Sequence, residues 1–262
     1  MSAYDTAAPS FDRHRGLPGG VAEAIRTAVL AATAGAPRPR LLDIGSGTGR
    51  IGSPFVAAGD DYVGVDLSLG MLREFMHRTR DGDCHAPRLA QADGACLPFA
   101  DASFDAVLLV QVLSGVPGWR DFLTETLRVL RPGGALIAGR VVAPDDGIDA
   151  RMRTRLSEIL AGMNIHPYRD NPRDAAMAWL ASSLPAPTVL TAAAWVAERS
   201  PRGFLERHTG GARFSILPEP VKQEALRRLA AWATEECGSL DAVCAENYRF
   251  EMTIHRLQPR TP

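Results

Sequence analysis

The sequence predicts an α/β fold: a doubly wound, mostly parallel sheet of seven strands with helices on both faces. Three observations predict it. Short apolar runs of strand length alternate five times with helical patterns, those runs lack the polar alternation of a half-exposed sheet, and a glycine-rich turn follows the first of them.

The bulk composition sets the outer limits. With 262 residues, 46% of them apolar, the chain suits one domain, or one domain with an insertion. Its 29 basic and 30 acidic side chains leave a formal net charge of -1, and no contiguous basic stretch occurs, so a generic grip on nucleic acid is not expected. The opening MSAYDTAAPSFDRHRGLPGG lacks the apolar stretch of a signal peptide, and no window approaches the roughly 18 apolar residues of a membrane span. The expectation is a cytoplasmic protein without a membrane partner. Cys84, Cys96, Cys237 and Cys244 form no C-x-x-C pair, so scattered, mostly buried thiols are expected, with no metal site and no disulfide framework.

In chain order, Val21, Ile25, Ala28 and Val29 share a helical face, and Gly35 and Pro37 stop it, giving a helix over about 20–34. Five strands follow: LLDI at 41–44, YVGV at 62–65, RLAQA at 88–92, AVLLVQV at 106–112 and ALIAGRVV at 135–142. Helical patterns fill the intervals at about 50–58, 68–80 and 119–130; Met71, Leu72, Phe75 and Met76 mark the second and Phe122, Leu123, Thr126, Leu127 and Leu130 the third. Right-handed crossovers between parallel strands put the ligands of such a sheet beyond the strands' carboxyl ends.

After the fifth strand, residues 149–182 read as helical, broken by 164-NIHPYRDNPRD-174. TVLTAAAW at 188–195 and YRFEMTIHRL at 248–257 complete the sheet around an amphipathic helix over 219–236, whose face carries Val221, Ala225, Leu229 and Trp232. Phe250, Met252 and Ile254 alternate inward on the last strand, which directs His255 outward.

The turn 41-LLDIGSGTGR-50 delivers Gly45, Gly47 and Gly49 into a helix, where bare backbone and unpaired N–H groups can approach a ligand. A phosphate-binding loop needs G-x-x-x-x-G-K-[ST], and no lysine follows, so phosphoryl transfer is excluded. Gly47, Gly49 and Gly52 do spell G-x-G-x-x-G, with Asp66 ending the next strand. That carboxylate indicates a ribose and leaves open both NAD and an adenosyl sulfonium. Three features favour the sulfonium. Asp43 precedes the loop where it can help hold a cationic amino-acid end, Asp93 in 91-QADGACLPFADASFD-105 can accept from an adenine amino group, and 127-LRVLRPGGALIAGR-140 turns through Pro132-Gly133-Gly134 before the fifth strand.

On LDIGSGTG, VGVDLS, DGACLPF and LRVLRPGG, in that order, the chain resembles the class I S-adenosylmethionine-dependent methyltransferases, particularly the type 11 or UbiE-like group acting on small molecules. The resemblance covers about residues 37–142 and implies a Rossmann-like fold with S-adenosyl-L-methionine as cofactor. By position it implies that Gly45, Ser46 and Gly47 line the methionine part and that Asp66 takes both ribose hydroxyls. Leu67 and Met71 would sandwich adenine, Asp93 and Gly94 would bind its edge, and Gln111 would lie beneath the sulfonium. It also implies that residues 1–36 close over the cofactor, with Arg15 pairing with the methionine carboxylate and Tyr4 and His14 beside it. The methyltransferase domain would then span 37–262, with a helical cap over the acceptor at 145–186.

The chain departs from the family where many members carry a histidine or aromatic after the fourth strand. Here 111-QVLSGVPGW-119 has Ser114 and Gly115, so no catalytic residue is assigned. His14, His166 and Tyr168 are candidate bases on position alone. The expected partner is a small-molecule acceptor, which the apolar character of the cap would let be hydrophobic. A non-catalytic S-adenosylmethionine-binding protein and an NAD-dependent oxidoreductase are the alternatives, and the oligomeric state is not readable.

Overall fold

The computed structural model describes residues 16–33, 36–80, 86–165, 171–209 and 217–258. Arg15, Tyr4, His14, His166, Tyr168 and Cys84 lie outside the described residues. Helix α1 (Val21–Ala32) leads into β1 (Leu41–Ile44), α2 (Ser53–Ala57), β2 (Tyr62–Asp66), α3 (Leu69–Arg78) and β3 (Arg88–Gln91). Then come β4 (Phe104–Val110), a 3-10 turn (Leu113–Gly115), α4 (Trp119–Val129) and β5 (Leu130–Val142). The chain continues through α5 (Ile148–Gly162), α6 (Pro172–Ser183), β6 (Thr188–Arg199), α7 (Pro201–Thr209), α8 (Glu219–Cys237) and β7 (Cys244–Arg256).

The seven strands run in the order β3-β2-β1-β4-β5-β7-β6. β1 pairs in parallel with β2 and with β4, and the pairs β2–β3 and β4–β5 are parallel too. Leu257 donates its N–H to Gly134 at 2.9 Å while Gly139 packs against the Phe250 ring, so β7 runs antiparallel to β5. Strands β1 and β2 are buried almost throughout, as expected of a sheet covered on both faces.

Local chemistry sets the element ends. The Ser68 hydroxyl accepts the Met71 N–H at 3.2 Å and so caps α3, whose Met71, Leu72 and Phe75 are buried. Strand β5 begins earlier than the sequence predicts, directly from α4. Its register against β4 jumps between Phe104 and Ala106, and Gly133 sits at φ 79° in that irregular entry.

Two compact units emerge. The first comprises the described residues up to Val141, Asn171–Ala193 and those from Phe250 onward; the second comprises the described residues from Val142 to the start of that middle segment, with Ala194–Arg249. The core of the first joins Leu42, Ile44, Val107, Leu109, Phe122, Leu123 and Leu136 with Ala176 and Leu180 of α6. In the second, Met152, Leu156 and Leu160 of α5 pack with Phe204 of α7 and Ala225, Leu229 and Ala233 of α8. The stretch expected to form one cap at 145–186 is therefore divided, with α5 in the second unit and α6 in the first.

Two sequence expectations are corrected. His255 is fully buried instead of facing outward, because the chain at Pro185 lies beside the second face of β7 that alternation alone leaves to solvent. The thiols are not mostly buried: Cys96 and Cys244 are exposed and Cys237 is half-buried. No helix among the described residues is long and apolar enough to cross a membrane, and no cluster of metal-ligating side chains occurs among them.

Candidate functional site

Strands β1 and β4 are neighbours whose onward connections leave in opposite directions, to β2 on one side and β5 on the other. Their carboxyl ends thus form the switch-point crevice at which doubly wound sheets receive ligands. The Gly45 loop crosses that crevice.

Its N–H groups are spent differently along its length. Gly45 and Ser46 both donate to the Val65 carbonyl, at 2.8 and 3.0 Å, and Gly49 donates to Ser46 at 3.1 Å. Gly45, Gly47 and Gly49 all have positive φ, at 77°, 57° and 78°. A Cβ on Gly45 would lie 2.7 Å from Val112 Cγ2, and one on Gly49 would overlap the Phe75 ring. At Gly47 a Cβ would meet nothing closer than its own loop's Gly45 carbonyl at 4.0 Å. Packing therefore requires two of these glycines, whereas a Cβ on Gly47 would crowd nothing among the described residues.

Asp66 ties this loop to β2. Its Oδ2 accepts the Gly47 N–H at 2.9 Å and its Oδ1 accepts the Ser68 N–H at 2.8 Å. These two backbone donors orient both carboxylate oxygens at the carboxyl end of β2.

Beneath the loop lies a buried polar group. Asp43 is 2% exposed, and its Oδ2 accepts the Tyr62 hydroxyl at 2.7 Å. Its Oδ1 and the Ser46 hydroxyl are buried without a hydrogen-bond partner among the described residues. Both flank Gly64: Asp43 is its register partner, and a Cβ there would stand 2.9 Å from Ser46 Oγ. Burial pushes the Asp43 carboxyl up to about 7; the Tyr62 hydrogen bond works against this and the charge of Asp66 adds to it. Unsatisfied buried polar atoms under a bare-backbone loop fit a ligand that brings a cation and donors to it.

On the β2–β3 side, Gln91 Nε2 donates to the Leu67 carbonyl at 3.1 Å. Leu67 is 59% exposed but Met71 only 3%, so of the pair expected to sandwich adenine, Leu67 alone presents surface. Asp93 is exposed and its Oδ1 accepts the Ala95 N–H at 2.9 Å, within a turn closed by Cys96 N–H to Asp93 O at 2.9 Å. Gly94 presses on the Phe122 ring and on Ile44, where a side chain would collide. The segment that follows is pinned by Arg128, which donates to the carbonyls of Phe99 and Leu97 at 2.8 and 3.2 Å. Glu125 accepts the Leu97 N–H at 2.9 Å, and its bond to Arg128 holds its carboxyl down at about 2.

Two features escape sequence reading. Gln111, at the end of β4, has φ 55°, which a non-glycine residue adopts rarely and at functional sites. Its N–H donates to Gly139 at 3.0 Å, and its side-chain oxygen accepts from the Arg50 guanidinium. Arg50, inside the quoted glycine turn, thus reaches across the crevice from β1 to β4. Around the following 3-10 turn, Val112, Val116, Met177 and Trp179 are only partly buried, and Trp179 packs on Trp119 with ring centroids 6.1 Å apart.

A profile described as a methyltransferase domain matches residues 42–138. A demethylmenaquinone methyltransferase from Renibacterium salmoninarum is 34% identical over 198 residues, which cover 74% of this chain and 80% of that protein. Another, from Parafrankia sp., is 38% identical over 149 residues, covering 51% of this chain and 59% of that protein. Among solved structures, the YcgJ protein from Bacillus subtilis has a TM-score of 0.57 at 17% identity, over 91% of this chain and 99% of that one, a likeness of fold.

Proposed function

Because the chain belongs to the class I S-adenosylmethionine-dependent methyltransferases, type 11 or UbiE-like group, we propose that its acceptor is a small, largely apolar molecule received beside Gln111. The enzyme is a methyltransferase and S-adenosylmethionine is its cofactor, so the NAD-dependent and non-catalytic alternatives fall away. The observation that carries the acceptor reading is that Val112, Val116, Met177 and Trp179, on the turn after β4 and on the helix packed against it, are only partly covered by the core they join. The relatives' name, demethylmenaquinone methyltransferase, supports the same character.

In this reading Gly45, Ser46 and Gly47 receive the methionine end of the cofactor, with Asp43 supplying negative charge beneath them. Asp66 accepts the two ribose hydroxyls, Leu67 covers one adenine face, and Asp93 and Gly94 border its edge. When bound, the cofactor supplies an electrophilic methyl group on a sulfonium, and an in-line displacement then needs no nucleophile from the protein. The chain's work is alignment and exclusion of water. Gln111 fixes the floor of the crevice through its strained backbone and its tie to Arg50, and the Trp119–Trp179 pair walls the acceptor side.

Methyl-labelled S-adenosylmethionine incubated with pools of hydroxylated aromatics and quinols, and separately with polar amines, tests this. Label is expected in the apolar pools; transfer confined to the polar amines would overturn the acceptor reading.

A further inference from the structure

Within the second unit, α5 and α8 run antiparallel. Arg151 pairs with Glu236 at 2.5 Å, and one turn further along α5 and back along α8 the Arg155 guanidinium lies over the Trp232 ring, 5.9 Å from its centroid. The side of α8 toward the core carries Ala225, Leu229 and Ala233. On the side turned away from that core the two helices border an open groove of about 390 Å³, lined by Glu158 and Gly162 of α5 and by Arg227, Ala231, Trp232 and Glu235 of α8 among others. The groove is low at its middle, where Ala231 ends in a methyl and a Cβ on Gly162 would meet nothing within 4 Å among the described residues.

The charges on this side of α8 are arranged symmetrically about Ala231. Arg227, Ala231 and Glu235 recur every fourth residue, so they share one stripe of the helix, and all are exposed. Arg227 and Arg228 both donate to the one carboxylate of Glu224, at 2.8 and 2.7 Å, which leaves that end of the stripe positive. At the other end Arg151 takes Glu236, and Glu235 leaves it negative. A two-fold axis passing beside Ala231 and across α8 lays this pattern on its own complement: Arg227 of each copy meets Glu235 of the other, and the small Ala231 lets the two helices approach. Trp232, half-buried in the groove between arginines, supplies the pairing of residue types that anchors interface cores. With 19 residues in α8 and 15 in α5, the helices are about 28 and 22 Å long. Two helix widths then give a face on the order of 500 Å² in projection and more in accessible area, the scale of the roughly 800 Å² that each partner of a stable complex buries.

We propose that the α5–α8 face receives a second copy of this chain. α8 lies antiparallel on α8 of the second copy with the two-fold axis at Ala231, and each Arg227–Glu235 pair is formed twice. The charge pattern selects this occupant, because an antiparallel copy of the same stripe matches it end to end.

Sedimentation velocity of the full chain over a range of micromolar concentrations tests this. The wild type should sediment as a dimer, at twice the 28.1 kDa of one chain. Arg227→Glu sets like charges against each other at Glu235, and Glu235→Arg does the same at Arg227, so each variant alone should raise the dimer dissociation constant by about tenfold or more, two-fold symmetry duplicating each change. An equimolar mixture of the two variants restores both pairs, since the acidic stripe of one then faces the basic stripe of the other, and should form a heterodimer. That recovery also shows that both variants are folded. A monomeric wild type, a dimer that survives in either single variant, or a mixture that remains monomeric would overturn the proposal.

Discussion

Asp66 accepts the Gly47 N–H across 2.9 Å, so the acid proposed to take the ribose also fixes the loop glycine whose Cβ would crowd nothing among the described residues. Cofactor contacts to the sugar and to the methionine end are thereby coupled before any ligand arrives. The glycines of the turn consequently divide by role.

Gly47→Ala should fold, because a Cβ there crowds nothing among the described residues and the cost is the left-handed φ, about 1–2 kcal/mol. It should still lose much of its S-adenosylhomocysteine affinity. Gly49→Ala adds overlap with the Phe75 ring to the same backbone strain and should be destabilised by roughly 3 kcal/mol or more. Urea titrations of the two variants check the order; equal losses of stability would contradict it.

Asp43 carries a pH signature. Between its ordinary value of 3.8 and about 7, the folded protein holds a proton on this carboxyl that the unfolded chain has released. Stability of the ligand-free enzyme should therefore fall as pH rises through that window, by on the order of a few kcal/mol, and level off above it. Asp43→Asn should lose this slope in denaturation midpoints measured from pH 4 to 8.

His255 acts in the opposite sense. Burial lowers its pKa below the ordinary 6.5, so the ring is neutral in the fold while the unfolded chain gains a proton as the pH drops. Its contribution is complete above about 6.5 and is lost on acidification. His255→Leu, which removes a buried imidazole, should flatten the acid limb of the same stability profile. An unchanged acid limb would show that the ring does not titrate on unfolding.

Gln111 sits at φ 55° and ties to Arg50. Gln111→Gly relieves backbone strain while losing that tie, so stability should stay within about 1 kcal/mol of the wild type. Methyl transfer should fall by about tenfold or more, measured with labelled cofactor. A variant with full activity would remove Gln111 from the site.

The strands and the glycine turn were legible because buried parallel strands must be apolar and because a tight turn beside a ligand admits few residues other than glycine. Which side of a helix or strand is covered was less legible. Met71 has the right place in the motif, but the helix phase set by the Ser68 cap turns it into the core. His255 illustrates a similar limit, since alternation tells which face a residue shares but not what covers the other face. The Arg50–Gln111 tie spans 61 residues and the Arg140–Glu251 pair 111, and no local pattern announces such contacts. α7 went unread because a nine-residue helix opening with proline carries too few turns for a period to appear.

The most direct measurement is calorimetric titration of S-adenosylhomocysteine, and of NAD, into the wild-type protein and Asp66→Ala. The wild type should bind S-adenosylhomocysteine and not NAD. Loss of the charge-assisted contact should weaken binding by about 1.5–3 kcal/mol, roughly tenfold to a hundredfold. Tight NAD binding by the wild type, or unchanged affinity in a folded Asp66→Ala, would contradict the account.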